Sequence, residues 1–243
     1  MFPIGKDMDI QSWAVIGTRL ARAVERAADR FSSTVEPAGK PADPATGQAV
    51  PKLVGDNYVP MTVDQFDNHL YFYAEVNTDR CLDLIKRIRQ IDNDLRNQKA
   101  SRSLPTDFPN VPIWLHIQSG GGSLFTGLNI ADQLKTIQTP IYSIVEGYCA
   151  SAATLISMSC QRRYITPSAF MLIHQLSTWT HGTYEQLQDD MHVNDMLMGR
   201  LYEFYEAKTK LKVKDLKAFM RRDSWFNAQE CVAKGLVDEI LAA

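Results

Sequence analysis

Two short apolar runs, Pro112 to Gln118 (PIWLHIQ) and Ile141 to Val145 (IYSIV), bracket three successive glycines and a stretch in which Phe125, Leu128, Ala131, Leu134 and Ile137 recur at helical spacing. This is the pattern of strand, helix, strand. Both runs enter one sheet only through a crossover, and such crossovers are right-handed, so the sheet they build is largely parallel. Sites in sheets of this kind lie at the carboxyl ends of the strands, which is where functional residues are to be sought.

The same alternation continues on either side. His69 to Ala74 (HLYFYA) reads as a strand, and Cys81, Leu84, Ile85, Ile88 and Ile91 mark a helix that runs until the polar segment from Asn93 to Arg102. Arg163 to Thr166 and Phe170 to His174 read as two further strands. A long helix is expected from about Tyr184 to Ala207, with Leu187, Met191, Met196, Leu197, Leu201 and Phe204 as its apolar positions. Near the C-terminus, Arg222-Asp223-Ser224-Trp225-Phe226 leads a charged pair into an aromatic strand, and Asn227 to Glu230 starts a helix ending near Lys234-Gly235. The polar stretch from about Leu95 to Asn110 lengthens one connection.

Residues 1–57 differ in character. Ile10, Trp13, Leu20, Val24, Ala28 and Phe31 form the apolar face of an amphipathic helix, and Pro37, Pro41, Pro44, Pro51 and Pro60 punctuate an arm with little periodicity. This part is read as a propeptide, a gate or a partner-binding segment, and residues 58–243 as the main domain.

A chain of 243 residues with 45% hydrophobic and 22% charged residues buries enough apolar surface to fold without disulfides or metal. Its net charge of -2 argues against nucleic acid as a partner. Cys81, Cys149, Cys160 and Cys231 lie far apart with no CxxC pair, which suits a reducing, cytoplasmic setting and excludes a zinc ribbon. His69, His116, His181 and His192 are scattered and HExxH is absent, so no metal is expected. Nor is a membrane span or secretory signal indicated.

Three segments carry candidate chemistry. In Ser119-Gly120-Gly121-Gly122-Ser123 the glycines stand where a strand ends and a helix begins, so their amides suit an anion or a developing oxyanion, or merely a tight turn. A phosphate loop would need Lys-Ser/Thr after its final glycine, and Leu128-Asn129 follows Gly127 instead. The second segment, Glu146-Gly147-Tyr148-Cys149-Ala150-Ser151-Ala152-Ala153, leaves a strand and enters an apolar helix. Ser151 there is either a helix cap or a nucleophile on a strand-to-helix elbow. The elbow is not the GxSxG of α/β-hydrolases, because Cys149 and Ala153 hold the flanking positions. Third, His174 ends the run Phe170 to Ile173, and a proton-transfer role suits an imidazole there. Spacing alone does not choose its partner among Asp223, Asp189, Asp190, Asp195 and Asp215.

Taken in order, IWLHIQSGGG (113–122), EGYCASAA (146–153), MLIHQ (171–175) and RDSWFNAQECVAKGLVD (222–238) resemble the proteolytic subunit of the Clp protease family, over roughly Tyr58 to the C-terminus. The resemblance implies an α/β fold of stacked βαβ units, shared with the crotonases, with a largely parallel sheet and a protruding handle helix. It places a nucleophile on Ser151, its general base on His174, the orienting aspartate on Asp223 and the oxyanion amides on Gly121 and Ala152. An extended substrate is expected to pair as a strand with Gly122 and Ser123 on one side and Gln175 and Leu176 on the other.

What the resemblance implies is a self-compartmentalised serine endopeptidase without cofactor, a homo-oligomer of two stacked heptamers with a separate ring-shaped ATPase that unfolds polypeptide substrates. The chain departs from the family pattern at Gly120 and Leu176, where proline is usual, and at Ala152, where methionine is usual. Two other readings are weighed: a catalytically silent ring subunit, and an acyl-CoA enzyme of the crotonase type, which uses paired amides but needs no Ser/His/Asp set. A signal-peptide peptidase would use a Ser/Lys pair instead.

Overall fold

The computed structural model describes residues 62–102 and 111–241; the expected N-terminal helix and Pro-rich arm, and the second half of the polar insertion, lie outside them. The strands are β1 (Val63–Phe66), β2 (His69–Phe72), β3 (Ile113–Ser119), β4 (Ile141–Ala150), β5 (Arg162–Ile165), β6 (Phe170–Ile173), β7 (Ser224–Asn227) and β8 (Glu239–Ile240). They share one sheet in the order β1-β2-β3-β4-β5-β8, with β6 joined to β4 and β7 to β6. Only the β1/β2 hairpin and the β6/β7 pair are antiparallel. A mixed α/β fold with a mostly parallel sheet therefore forms, as the alternation predicts.

The helices are α1 (Thr78–Ser101), α2 (Leu124–Leu134), α3 (Ala152–Met158), α4 (Tyr184–Lys208), α5 (Val213–Met220) and α6 (Ala228–Lys234). Helix α1 starts where the Asn77 side chain accepts from the Arg80 amide at 3.0 Å, and it buries Cys81, Leu84, Ile85, Ile88 and Ile91 at intervals of three and four. Strand β3 buries Ile113, Leu115, Ile117 and Ser119 by alternation, so its core face meets α3 and its other face carries Trp114 and Gln118. Helix α6 opens with a reciprocal cap between Asn227 and Glu230 and ends at Gly235, whose φ of 74° needs no side chain. Among the described residues no helix is long and apolar enough to cross a membrane.

Three elements depart from the sequence reading. Helix α1 runs on through the polar segment to Ser101, because Asp92 turns inward: its Oδ1 accepts from the Thr139 amide at 2.9 Å and from the Thr139 hydroxyl at 2.6 Å. Hairpin strand β1 has one buried residue, Val63, and so no alternation to reveal it. A short helix absent from the sequence reading, α5, buries Leu216 and Met220 and leaves Lys214 and Lys217 exposed. Replacing Asp92 by alanine strands the buried Thr139 amide without an acceptor. We expect a loss of about 1–3 kcal/mol in urea unfolding, most of it recovered by Asp92→Asn, which keeps an acceptor oxygen.

Strand β4 positions the site by forking. Its first half pairs with β5 through Tyr142 to Val145, and its second half with β6 through Tyr148 to Ala150. Between them the register against β3 slips from Ile117↔Val145 to Ser119↔Cys149, and Gly147 takes a φ of 66°. The bulge redirects the strand end. Ser151 follows directly.

Candidate active site

Among the described residues only Asp67, in the hairpin turn, and Ser151 are non-glycines at positive φ. Ser151 sits at φ 55°, ψ -130°, a conformation that costs of order 1–3 kcal/mol and that the surroundings must hold. Part of that hold is its amide, which donates to Leu172 O at 3.0 Å and extends the β4/β6 pairing by one step. The residue occupies the N-cap position of α3, yet its side chain makes no capping hydrogen bond. Capping thus does not account for the hydroxyl. Two residues earlier, Cys149 is fully buried and burial pushes its thiol far above the ordinary range, so it stays protonated and inert.

The glycine turn packs directly against this elbow. The Ser119 hydroxyl donates to Ala74 O at 2.6 Å and accepts from the Gly121 amide at 3.2 Å, while Val76 clips the turn through Val76 N to Gly121 O and Ser123 N to Val76 O, both 2.8 Å. Gly121 has φ 93°, and a methyl group there would lie 2.6 Å from Ser151 Cβ, 2.7 Å from Ala150 O and 2.9 Å from Ala152 N. No side chain fits between turn and elbow. The Gly121 amide is engaged by Ser119, whereas the Gly122 amide makes no hydrogen bond among the described residues. Ser123 caps α2 through its hydroxyl, which accepts from the Thr126 amide at 3.2 Å.

His174 and Asp223 come from neighbouring strands. The β6/β7 pairing ends at Ile173 with Ser224, so His174 leaves β6 where Asp223 leads into β7, and beyond it Gln175 N donates to Met220 O at 2.8 Å. Because Ser151 N bonds Leu172 O, the ends of β4, β6 and β7 carry the three candidates to one edge of the sheet. His174 is half-buried and Asp223 exposed, and among the described residues no hydrogen bond joins the three side chains. The other aspartates weighed belong elsewhere: Asp189, Asp190 and Asp195 ride on α4, where Asp190 accepts from the Thr180 hydroxyl, and Asp215 caps α5. Residues 174–183 form no strand, and the Leu176 amide donates to Met198 Sδ on α4 at 3.2 Å.

Sequence reasoning missed a second polar cluster. His69 and His116, far apart along the chain, meet at 2.9 Å between Nδ1 and Nε2, and His116 Nδ1 lies 2.8 Å from Glu146 Oε1, whose other oxygen accepts from the Tyr73 hydroxyl. The protons fit if His116 donates to Glu146 and accepts from His69. Burial, then the neighbouring His116, lowers the pKa of His69. No sequence signal pointed to it: the parallel pairing of β2 with β3 brings these side chains together on one face of the sheet. Among the described residues no three groups converge to hold a metal ion.

Comparison with known proteins identifies the family. The sequence profile of the family described as Clp protease matches residues 72–243. The ATP-dependent Clp protease proteolytic subunit 1 of Chlamydia muridarum is 33% identical over 137 residues, covering 55% of this chain and 71% of the relative. The ATP-dependent Clp protease proteolytic subunit of Streptococcus gordonii is 27% identical over 193 residues, 76% of this chain and 97% of the relative. A ClpP1 mutant from Listeria monocytogenes shares the fold, with a TM-score of 0.62 and 21% identity over 73% of this chain and 92% of its own. The match spans the glycine turn, the serine elbow and the β6/β7 pair alike, and on it the chain belongs to the Clp protease family.

Proposed function

We propose that the chain is a Clp-type serine endopeptidase in which Ser151 attacks the peptide carbonyl, His174 takes its proton and returns it to the leaving amine, and Asp223 orients the imidazole. The observation that carries this reading is the strained Ser151, which makes no capping hydrogen bond and is pressed against a glycine turn at the end of the sheet where His174 leaves β6 and Asp223 leads into β7. In this reading the relay closes by rotation of the three side chains. The oxyanion that forms is held by the Ala152 amide and by an amide of the glycine turn. Gly121 is the position the family resemblance supplies, and Gly122 is the donor with no internal partner.

An extended polypeptide pairs with Gly122 and Ser123 on one side and with Gln175 and Leu176 on the other. The Leu176 amide is available for this at small cost, since the Met198 thioether it now meets is a weak acceptor. The assembly we propose is a pair of stacked heptamers, with a separate ATPase ring delivering unfolded chains; the relatives' names, ATP-dependent proteolytic subunits, support that partnership. The four free, buried cysteines suit the cytoplasm. Hydrolysis of a fluorogenic peptide, followed beside native mass measurement, tests the reading. We expect a high oligomer whose kcat falls by roughly 10⁶-fold in His174→Ala. Undiminished cleavage by that variant would refute the assignment.

A further inference from the structure

The Thr154 hydroxyl, in the first turn of α3, lies 2.6 Å from the Ser151 carbonyl oxygen and 2.7 Å from the phenol oxygen of Tyr205 on α4. The Thr154 amide donates to the same carbonyl at 3.0 Å. Tyr205 is buried, and burial raises its phenol above the ordinary range, so it keeps its proton. Two hydroxyls carry two protons, and one arrangement gives each of them an acceptor: Tyr205 donates to Thr154, and Thr154 donates to the Ser151 carbonyl. The reverse order leaves the phenol proton with nowhere to go in a buried site. A directed chain of hydrogen bonds therefore runs from the long helix to the elbow.

The carbonyl held in this way belongs to the peptide unit whose N–H is that of Ala152. A trans peptide is planar with its C=O and N–H pointing in opposite directions, so whatever fixes the Ser151 oxygen aims the Ala152 amide. The aim matters because Ser151 is strained, and turning this peptide unit is the simplest way for the strain to relax. We propose that Thr154 and Tyr205 are positioning residues for the oxyanion donor, holding the Ala152 N–H on the reacting carbonyl through the Ser151 oxygen. This rests on the assignment of Ser151 as nucleophile and Ala152 as donor.

The test uses the full chain carrying Thr154→Val, Thr154→Ser or the pair Thr154→Val with Tyr205→Phe. Thr154→Val should lower kcat about 10-fold, short of the roughly 10²- to 10³-fold that follows outright loss of a donor, with KM changed less than about twofold. Binding of a peptide boronate, which mimics the tetrahedral adduct, should weaken by about the same factor. Thr154→Ser should restore both. The double variant removes both hydroxyls and leaves no orphan donor, so its Tm should return toward wild type while kcat stays low. If kcat recovers together with Tm in the double variant, or never falls in Thr154→Val, the pair is merely structural and the proposal is overturned. If instead wild-type chain neither cleaves peptides nor reacts at Ser151, the nucleophile assignment has failed and this inference falls with it.

Discussion

Ser151→Ala should lower kcat for peptide hydrolysis by roughly 10⁶-fold while leaving the fold intact. The loss is large because the hydroxyl is the group that forms the acyl bond, and neither the imidazole nor the oxyanion donors replace it. Stability should change by no more than about 0.5 kcal/mol, since the side chain makes no capping bond to α3. That second half of the expectation is what separates the two roles open to this serine. A capping serine replaced by alanine costs about 0.5–2 kcal/mol and leaves chemistry elsewhere untouched. Thermal unfolding and steady-state kinetics on the same preparation distinguish them.

Gly121→Ala should damage both stability and activity. A methyl group there meets Ser151 Cβ, Ala150 O and Ala152 N at 2.6 to 2.9 Å, all of them elbow atoms tied to the backbone, so no flexible side chain can yield. Overpacking of this kind costs about 1–3 kcal/mol. A β-carbon at φ 93° adds a further cost of about 1–2 kcal/mol. The displaced atoms are those proposed to carry the nucleophile and the oxyanion donor, so kcat should fall by roughly 10²-fold or more even in the molecules that fold. The neighbouring Gly120→Ala is the control. Its methyl would meet only the Tyr148 ring, at 3.9 Å, and Gly120 has no positive φ, so the change should stay within about 0.5 kcal/mol.

The parts of the fold that were legible in the sequence are those whose periodicity is set by one-sided burial. Strand β3 and helix α2 repeat their apolar residues as their geometry demands, and the caps at Asn227 and Gly235 name their own helix, whereas the long helix α4 buries only Leu201, Phe204 and Tyr205 and leaves Met191 and Met196 exposed. What periodicity does not carry is pairing. The helix looked finished before Asn93 because the partner that Asp92 meets, Thr139, is 47 residues away, and β1 lay hidden because one buried valine makes no pattern. The fork of β4 escaped notice for the same reason, although Gly147 marked the place.

At the site, the motifs named Ser151, His174 and Asp223, but spacing alone could not choose among five aspartates. Asp223 is the one proposed, because it leads into β7 beside the strand that ends at His174, while Asp189, Asp190, Asp195 and Asp215 lie on helices. Two groups of polar side chains were not legible at all. The His69, His116, Glu146 and Tyr73 cluster depends on adjacent strands contributing to one face, and the Tyr205 to Thr154 contact spans 51 residues. A tyrosine in an amphipathic helix reads as core until something polar is found beneath it.

The most direct measurement of the central claim is reaction of the assembled protein with a fluorophosphonate, followed by peptide mapping. The reagent needs a serine whose proton is removed by a nearby base and whose phosphoryl oxygen is received by amide donors. The account predicts a single adduct on Ser151, formed at a rate that falls sharply in His174→Ala. An adduct on a different residue, or peptide cleavage that continues undiminished once Ser151 is fully modified, would contradict it.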